Sequence, residues 1–175
     1  MIIEFRRASG ADLPAMLDII AQARSFLGSQ GHDQWQDGYP QPHILTADIE
    51  AGNAWLLTAD GRVVATAALI FADEPDYASI RDGQWGSTGR YAALHRVALH
   101  DDVRGQGLGA QLIKEIENLC RKAEFYTIRV DTHPENLPMQ HLLTKKGFVR
   151  RGTITLSLQY GGTEGAVRWA YDKIL

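Results

Sequence analysis

The stretch HDDVRGQGLGAQLIKEI, from His100 to Ile116, places three glycines in alternation between a polar turn and a segment with helical periodicity. Alternating glycines at the start of a helix let backbone N–H groups approach a ligand closely, and a phosphate group is the usual ligand there. Three kinds of ligand suit this pattern: a dinucleotide, a nucleoside triphosphate and the pyrophosphate of coenzyme A. A tight turn that binds nothing is the fourth interpretation.

Length and composition limit the kinds of protein this chain can be. The 175 residues are 45% hydrophobic, which is ordinary for a globular protein and enough for one well-buried core. We therefore expect a single domain over residues 1–175. The formal net charge of −3 provides no general attraction for nucleic acid or for an anionic membrane. We expect no nucleic-acid partner and no membrane partner.

The N-terminal residues and the cysteine content indicate the compartment. MIIEFRRASG, at residues 1–10, holds no apolar run of signal-peptide length, and no later segment approaches the roughly 20 apolar residues of a membrane span. Cys120 is the one cysteine, which excludes an internal disulfide and is typical of a reducing compartment. The sequence thus predicts a cytoplasmic protein, and it leaves a homodimer open.

Hydrophobic periodicity predicts strands and helices in a mixed order. Ser9 and Asp12 resemble a capping box at the start of the first helix, and Asp60-Gly61 marks the turn of a hairpin. The predicted elements are a strand at 2–8, a helix from 9 to about 27, a short helix around 48, a hairpin at 54–71, a strand at 91–100, a helix from about 107, a strand at 126–132, a helix at about 136–146, and a closing hairpin of 148–160 with 166–175. This order is typical of a mixed α/β sheet.

Two of the phosphate-binding interpretations fail on their surroundings. Gly105, Gly107 and Ala110 match a dinucleotide fingerprint, and Asp131 follows about 20 residues later, as that fingerprint requires. However, four residues separate the preceding strand from the first glycine, and too little chain follows Asp131 for a doubly wound fold. The nucleotide-hydrolase loop fails because no Gly-Lys-Ser/Thr closes the segment.

The pattern R-x-x-G-x-G at Arg104–Gly109 resembles the acetyl-CoA signature of the GNAT superfamily of N-acetyltransferases. NLPMQHLLTKKGF, from Asn136 to Phe148, resembles the second motif of that family, in which an asparagine opens a helix that ends in Lys-x-Gly-Phe. The order of predicted elements is also similar over essentially the whole chain. The resemblance implies a mixed, mostly antiparallel sheet of about seven strands with about four helices, in which the fourth and fifth strands splay apart.

The resemblance also implies acetyl-CoA as cofactor and assigns residues to it. Backbone N–H groups at the positive end of the helix dipole would hold the pyrophosphate, while Asn136 would contact the pantetheine arm from the other side. The arm would pair like a strand with the backbone of the fourth strand. The residues implied for the cofactor are Val97, Ala98, Leu99, Arg104, Gly105, Gln106, Gly107, Leu108, Gly109, Ala110 and Asn136.

His95 is the candidate general base. Strict alternation along the strand places Ala93, His95, Val97 and Leu99 on one face, and the family's base, where present, is at the position of Ala93. An imidazole has an ordinary pKa of about 6.5, which suits a base near neutral pH. A hydrogen-bonded core histidine is the alternative interpretation of this residue.

The proton donor departs from the family pattern. Many members have a tyrosine seven residues after the helix-opening asparagine, where this chain has Leu143. Tyr91 or a water molecule is the candidate donor instead, or the thiolate leaves without a proton donor. His133 is a second candidate base. Asp131-x-His133 is too sparse a pattern to predict a metal site. Cys120 is expected in the core, because it lies about 20 Å along the helix from the glycine loop.

Two segments rich in aromatic residues are expected to border the acceptor cleft, residues 31–42 and 81–91. The candidates for apolar walls are Trp35, Tyr39, Trp85 and Tyr91, and those that could attract an ammonium group are Asp33, Asp37 and Asp82. Rings that merely fasten long loops to the core are the alternative.

Together these features predict an acetyl-CoA-dependent N-acetyltransferase in which the primary amine of a small molecule, cationic or amino-acid-like, attacks directly in a ternary complex. A protein N-terminus or a lysine side chain stays open as acceptor. The alternative function is a catalytically silent acyl-CoA-binding or regulatory module, because Ala93 and Leu143 replace the usual base and acid.

Overall fold

Seven strands form one sheet, with four α-helices packed on it, in the computed structural model, which describes residues 1–157 and 165–175. The strands are β1 (Ile3–Arg7), β2 (Ala54–Ala59), β3 (Arg62–Ile70), β4 (Ala92–Leu99), β5 (Thr127–Thr132), β6 (Val149–Thr155) and β7 (Val167–Ile174). The helices are α1 (Leu13–Ser29), α2 (Pro42–Glu50), α3 (Leu108–Lys122) and α4 (Leu137–Lys145). The predicted fold class is confirmed.

Local signals set the N-terminal half of the fold. Asp12 accepts a hydrogen bond from the backbone N–H of Ser9 at 2.8 Å, as a capping box requires, and a single 3₁₀ turn leads from there into α1. The hairpin between β2 and β3 turns at Asp60 and Gly61, whose φ angles are +50° and +80°. Both values belong to the left-handed region that a two-residue hairpin turn demands.

The closing hairpin of β6 and β7 is shorter than predicted. Its strands pair from Val149 opposite Asp172 to Thr155 opposite Val167. The predicted extension of the first strand through Leu158–Tyr160 lies outside the described residues. Among residues 1–157 and 165–175, no helix is long and apolar enough to cross a membrane.

The sheet has the strand order β1-β2-β3-β4-β5-β7-β6, and β4 and β5 are its parallel neighbours. Their pairing spans only three residue pairs and ends at Leu94 opposite Val130. Beyond that point β4 continues to Leu99 and β5 to Thr132 without pairing to each other. The predicted splay of the fourth and fifth strands is therefore present, and it opens a cleft in the middle of the sheet.

A β-bulge in β4 corrects the predicted alternation of its side chains. Arg96 and Val97 together oppose one residue of β3, and Arg96 has φ of +53°. Ala93 and His95 face the side of the sheet that holds Tyr77. Val97 and Leu99 instead pack with Leu94 in the cluster on the opposite side. The prediction that all four alternate residues share one face was wrong, because the extra residue reverses the alternation.

The bulge also directs a charged side chain into the protein. Arg96 forms two hydrogen bonds of 2.7 Å with the carboxylate of Asp48 in α2, and a third of 2.7 Å with the hydroxyl of Tyr39. The side chains of Arg96 and Asp48 are only 10% and 9% exposed. The pair therefore fastens α2 and the segment before it to the bulged strand.

The two faces of the sheet carry separate hydrophobic clusters. Helices α3 and α4 cover one face, where Leu112, Ile113 and Ile116 are fully buried. Helices α1 and α2 cover part of the other face. Cys120 lies in the first cluster, and burial raises the pKa of its thiol to about 12. The expectation that it belongs to the core is confirmed.

Removing the carboxylate of Asp48 should leave a buried, uncompensated guanidinium. We expect Asp48→Ala to lower the free energy of unfolding by about 3 kcal/mol, measured by urea denaturation. The matched control is Asp102→Ala, which breaks the ion pair between Arg62 and Asp102, whose side chains are 56% and 64% exposed. It should cost less than about 1 kcal/mol. Equal losses in the two variants would contradict the structural role of the buried pair.

Candidate functional site

The splayed strands open into a cavity of about 680 Å³, which is the size of a small-molecule site. Backbone and side chains of Val97, Ala98 and Leu99 line it along β4. On the side of β5 it is lined by Val130, Asp131 and Thr132. The cleft between β4 and β5 is thus an extended slot with a strand edge on each side.

The glycine loop forms one end of the cavity. Gly105 and Gly107 line it with φ of +76° and +82°, and a Cβ built on either residue would meet no atom within 4 Å. The glycines are therefore not required by packing, and the space before them is open to a ligand. Gly107 directly precedes α3, whose first backbone N–H groups have no intrahelical acceptors. The dipole of this 15-residue helix adds positive potential at the same place.

Of the residues implied for the cofactor, nine line the cavity: Val97, Ala98, Leu99, Arg104, Gly105, Gly107, Gly109, Ala110 and Asn136. The other two do not. The side chain of Gln106 donates a hydrogen bond to the backbone carbonyl of Asp102, and Leu108 is buried in the core. Both side chains are thus engaged with the protein and do not face the cavity.

Arg104 and Asn136 line this end of the cavity, and each also binds other parts of the protein. The guanidinium of Arg104 lies 4.1 Å from the ring centroid of Phe26 and forms an ion pair of 2.7 Å with Asp101. It therefore shapes the loop. Asn136 caps α4 by accepting a hydrogen bond from the N–H of Met139, and its amide donates to Gln34. The motif asparagine thus joins α4 to the loop that follows α1.

The other end of the cavity is acidic and contains the candidate base. His95 lines it, with Nε2 lying 3.2 Å from Oε2 of Glu74, although the contact lacks the alignment of a hydrogen bond. Glu74 is buried, and its backbone N–H donates to the hydroxyl of Tyr91. A carboxylate at this place would stabilise an imidazolium after His95 accepts a proton.

A second carboxylate lies in the same end. Asp131 accepts a hydrogen bond of 2.8 Å from the hydroxyl of Tyr77, and both residues line the cavity. Burial raises the pKa of Asp131, and the positive charge of His95 opposes that shift. Burial also raises the pKa of Tyr77 well above its ordinary value, so its hydroxyl stays protonated and donates to Asp131.

Two of the predicted catalytic residues lie outside the cavity wall. The hydroxyl of Tyr91 is occupied by the backbone of Glu74, so Tyr91 positions Glu74 and does not face the slot. His133 stacks on His32 with ring centroids 5.4 Å apart, and its Nε2 lies 2.9 Å from Asp33. Burial, followed by the charge of a neighbouring arginine, lowers the pKa of His133.

Some of the aromatic candidates line the cavity and others do not. Trp35 and Tyr39 line the cavity, whereas Trp85 does not. The Trp85 ring packs against Tyr77, lies 4.4 Å from the guanidinium of Arg129, and donates from Nε1 to the backbone carbonyl of Tyr77. Trp85 therefore fastens the loop before β4 to the sheet.

Asp33 and Asp37 line the cavity, while Asp82 accepts a hydrogen bond from Thr153 away from it. Sequence reasoning did not assign several residues of the acidic end to the site, namely Glu74, Asp76, Tyr77, Arg96, Asp131 and Arg168. The first three lie in what the sequence predicts as a polar loop after β3, where the grouping of three acidic residues before a tyrosine was the one signal. In the part of the chain that the structure describes, no group of three or more His, Cys, Asp or Glu residues could hold a metal ion.

The comparisons with known proteins agree with this geometry. A family model described as "Acetyltransferase (GNAT) family" matches residues 15–148. The uncharacterized N-acetyltransferase YesJ of Bacillus subtilis (strain 168) is 23% identical over 141 residues, which cover 78% of this chain and 76% of the relative.

Solved structures give the same picture. A GNAT-family acetyltransferase from Streptococcus agalactiae 2603 superposes with a TM-score of 0.87 at 34% identity, covering 99% of this chain and 95% of that one. The PaiA N-acetyltransferase from Thermoplasma acidophilum, solved in complex with coenzyme A, reaches a TM-score of 0.70 at 17% identity over 100% of both chains. The latter likeness concerns the fold alone.

The two tryptophans should respond differently to truncation. We expect Trp85→Ala to lower the free energy of unfolding by about 2 kcal/mol, because it removes ring packing and a hydrogen bond to Tyr77. Trp35→Ala, the control, should cost less, since its ring borders the open cavity. Denaturant titration of both variants checks this, and a larger loss for Trp35→Ala would show that the roles are reversed.

Proposed function

The chain belongs to the acetyltransferase (GNAT) family, and from that membership we propose that it transfers an acetyl group from acetyl-CoA to the primary amine of a small molecule by direct attack in a ternary complex. The observation that carries the proposal is the slot between β4 and β5, which has a glycine-lined helix N-terminus at one end and His95 with buried carboxylates at the other. A cofactor site and an acceptor site thus meet at one place on β4.

The residues present fit coenzyme A. The space that a Cβ on Gly105 or Gly107 would occupy is open, so backbone N–H groups can contact a pyrophosphate directly. The unpaired edge of β4 at Val97–Leu99 offers backbone groups to the amide groups of the pantetheine arm. Asn136 lines the opposite side of the slot. When bound there, acetyl-CoA supplies a thioester carbonyl that an amine can attack.

The acidic end provides the proton chemistry that an amine needs. An amine attacks only in its neutral form, and His95 is placed to accept the ammonium proton directly or through a water molecule. Glu74 stabilises the positive charge that His95 then carries. Tyr91 fixes the backbone of Glu74, so we assign it a positioning role. A water molecule then protonates the departing thiolate of coenzyme A.

The acceptor is a small molecule in this proposal. Trp35, Tyr39 and Tyr77 give the cavity aromatic surface, and the Tyr77 ring lies 6.0 Å from the ring of His95. The carboxylates of Asp33 and Asp37 attract a cationic or amino-acid-like amine.

A silent acyl-CoA-binding module remains the second candidate function, since Ala93 and Leu143 are both buried in the core and contribute no acid or base. Release of free coenzyme A with any member of an amine panel supports the enzyme.

The glycine loop makes the first prediction about this site. Gly107→Val should abolish binding of coenzyme A, because its side chain would project into the open space before α3. The control is Gly61→Val, which has nearly the same backbone strain, with φ of +80° against +82°, and the same open surroundings. Isothermal titration calorimetry should show binding by the control and none by Gly107→Val. Unchanged binding by Gly107→Val would place the pyrophosphate elsewhere.

The second prediction concerns His95. Removing the general base should lower kcat by roughly 10²- to 10⁴-fold, with little change in the affinity for coenzyme A. The rate of the parent protein should rise with pH, because the base acts in its neutral form. In His95→Ala the pH–rate profile should lose the rise that is due to this base. The rate of the variant should recover at high pH, where the amine is neutral without assistance.

His133→Ala is the matched control for His95→Ala. Both side chains are similarly buried, 13% and 15% exposed, but His133 stands outside the cavity wall. It should alter stability more than kcat. An unchanged pH–rate profile in His95→Ala, together with its loss in His133→Ala, would transfer the role of base to His133.

A further inference from the structure

Arg168 is a buried cation that lines the cavity. It lies on β7, is 6% exposed, and borders the same end of the cavity as His95. Among residues 1–157 and 165–175, its hydrogen bonding is limited to one bond of 3.1 Å from Nη1 to the carbonyl of Val167, and no carboxylate forms an ion pair with it. Arg96, the other arginine at this end, is fully paired with Asp48. A buried guanidinium is costly without an anion, so Arg168 has unused capacity to bind one.

Strand register places Arg168 beside the acidic groups. Asp131 of β5 is opposite Ala170 of β7, and Arg168 lies two residues earlier on the same face of that strand. Such diagonal neighbours have Cα atoms about 7–8 Å apart, close enough for long side chains to meet over one ligand. Because Leu94 pairs with Val130, His95 lies next to Asp131 on that same face. Three adjacent strands thus present base, acid and cation in a row.

The electrostatics of the row agree with its geometry. Burial lowers the pKa of Arg168, and the charges of Asp131, Asp33 and Asp37 oppose that shift. Burial raises the pKa of Asp131. Each charged group is therefore poorly solvated. A ligand that brings its own carboxylate to Arg168 and its own ammonium to Asp131 would compensate both.

On the basis of the proposed function, we propose that the acceptor is an amino acid with a free carboxylate, which Arg168 binds, while the amino group faces His95, Glu74 and Asp131. Arg168 is then a specificity-determining residue, because its planar guanidinium can hold a carboxylate through two parallel hydrogen bonds. Leu156 and Ile70, which also line the cavity, leave apolar space for a side chain. A peptide N-terminus or a simple polyamine would leave Arg168 without its anion.

The test compares acids with their neutral counterparts. The ratio of kcat/KM for each L-amino acid to that for its α-carboxamide is measured with acetyl-CoA. In the parent protein the best amino acid should exceed its carboxamide by about 100-fold or more, because a buried group left without its partner is strongly penalised. Arg168→Gln should bring the ratio close to one by lowering kcat/KM for the acid alone. Arg168→Lys, which keeps the charge but not the two parallel donors, should give an intermediate ratio.

Arg129→Gln is the control. Arg129 is buried to nearly the same extent, 7% exposed, but it packs on Trp85 and Tyr91 outside the cavity wall. Its substitution should reduce stability and leave the ratio unchanged. The ratio of the two kcat/KM values does not depend on how much of the protein is folded. The comparison of acid with carboxamide in the parent protein needs no variant.

Two outcomes would overturn the inference while the acetyltransferase proposal stands: equal use of acids and carboxamides by the parent, or turnover confined to polyamines or peptides. Absence of turnover with every amine would instead overturn the proposed function. Calorimetric titration of L-amino acids into the protein saturated with coenzyme A would then decide recognition. Binding that Arg168→Gln abolishes supports the role of Arg168, and no binding by the parent overturns it.

Discussion

The separation of β4 from β5 after only three residue pairs is the constraint on which the site depends. Up to Leu94 and Val130 the strands satisfy each other's backbone groups, and beyond them each strand leaves an edge open to the slot. Unpaired strand edges inside a protein need hydrogen-bonding partners, and a bound molecule can provide them. The bulge at Arg96 belongs to the same feature, because it reverses the facing of β4 where the slot begins. The two halves of the proposed ternary complex therefore meet where the sheet divides.

The bulge also explains why so much charge lies inside the protein here. Arg96 has a left-handed backbone conformation, and its side chain binds Asp48 and Tyr39, while Arg96 and Tyr39 line the cavity that holds His95. This charge is neutralised within the chain. Among residues 1–157 and 165–175, no ion pair neutralises the charges of Arg168 and Asp131, although both residues lie on the same face of the sheet. The contrast separates the charges that hold the fold from those that are available to a ligand.

Much of the fold could be predicted because its signals are local. Asp60-Gly61 marks a hairpin through backbone conformation alone, and Ser9 with Asp12 marks a helix start through a hydrogen bond between neighbours. The glycine loop is equally local, since the open space at Gly107 results from the absence of a side chain. The acidic end could not be found this way. Glu74 reaches His95 only because the chain folds back across 21 residues. Tyr91 was predicted as a proton donor in place of Leu143, but its hydroxyl binds the backbone of Glu74.

The sequence by itself determined the order of elements, the family resemblance and the glycine-lined end of the slot, because these depend on residues within a few positions of one another. Only the tertiary structure decided which side chains share the end of the slot that holds His95. Strict alternation predicted that Val97 lies on the face of His95, and one extra residue in the bulge reversed that relation. The meeting of His95, Asp131 and Arg168 depends on the register of three strands that are distant in the chain. Register is set by the packing of the whole sheet, and a shift of one residue would send each side chain to the opposite face.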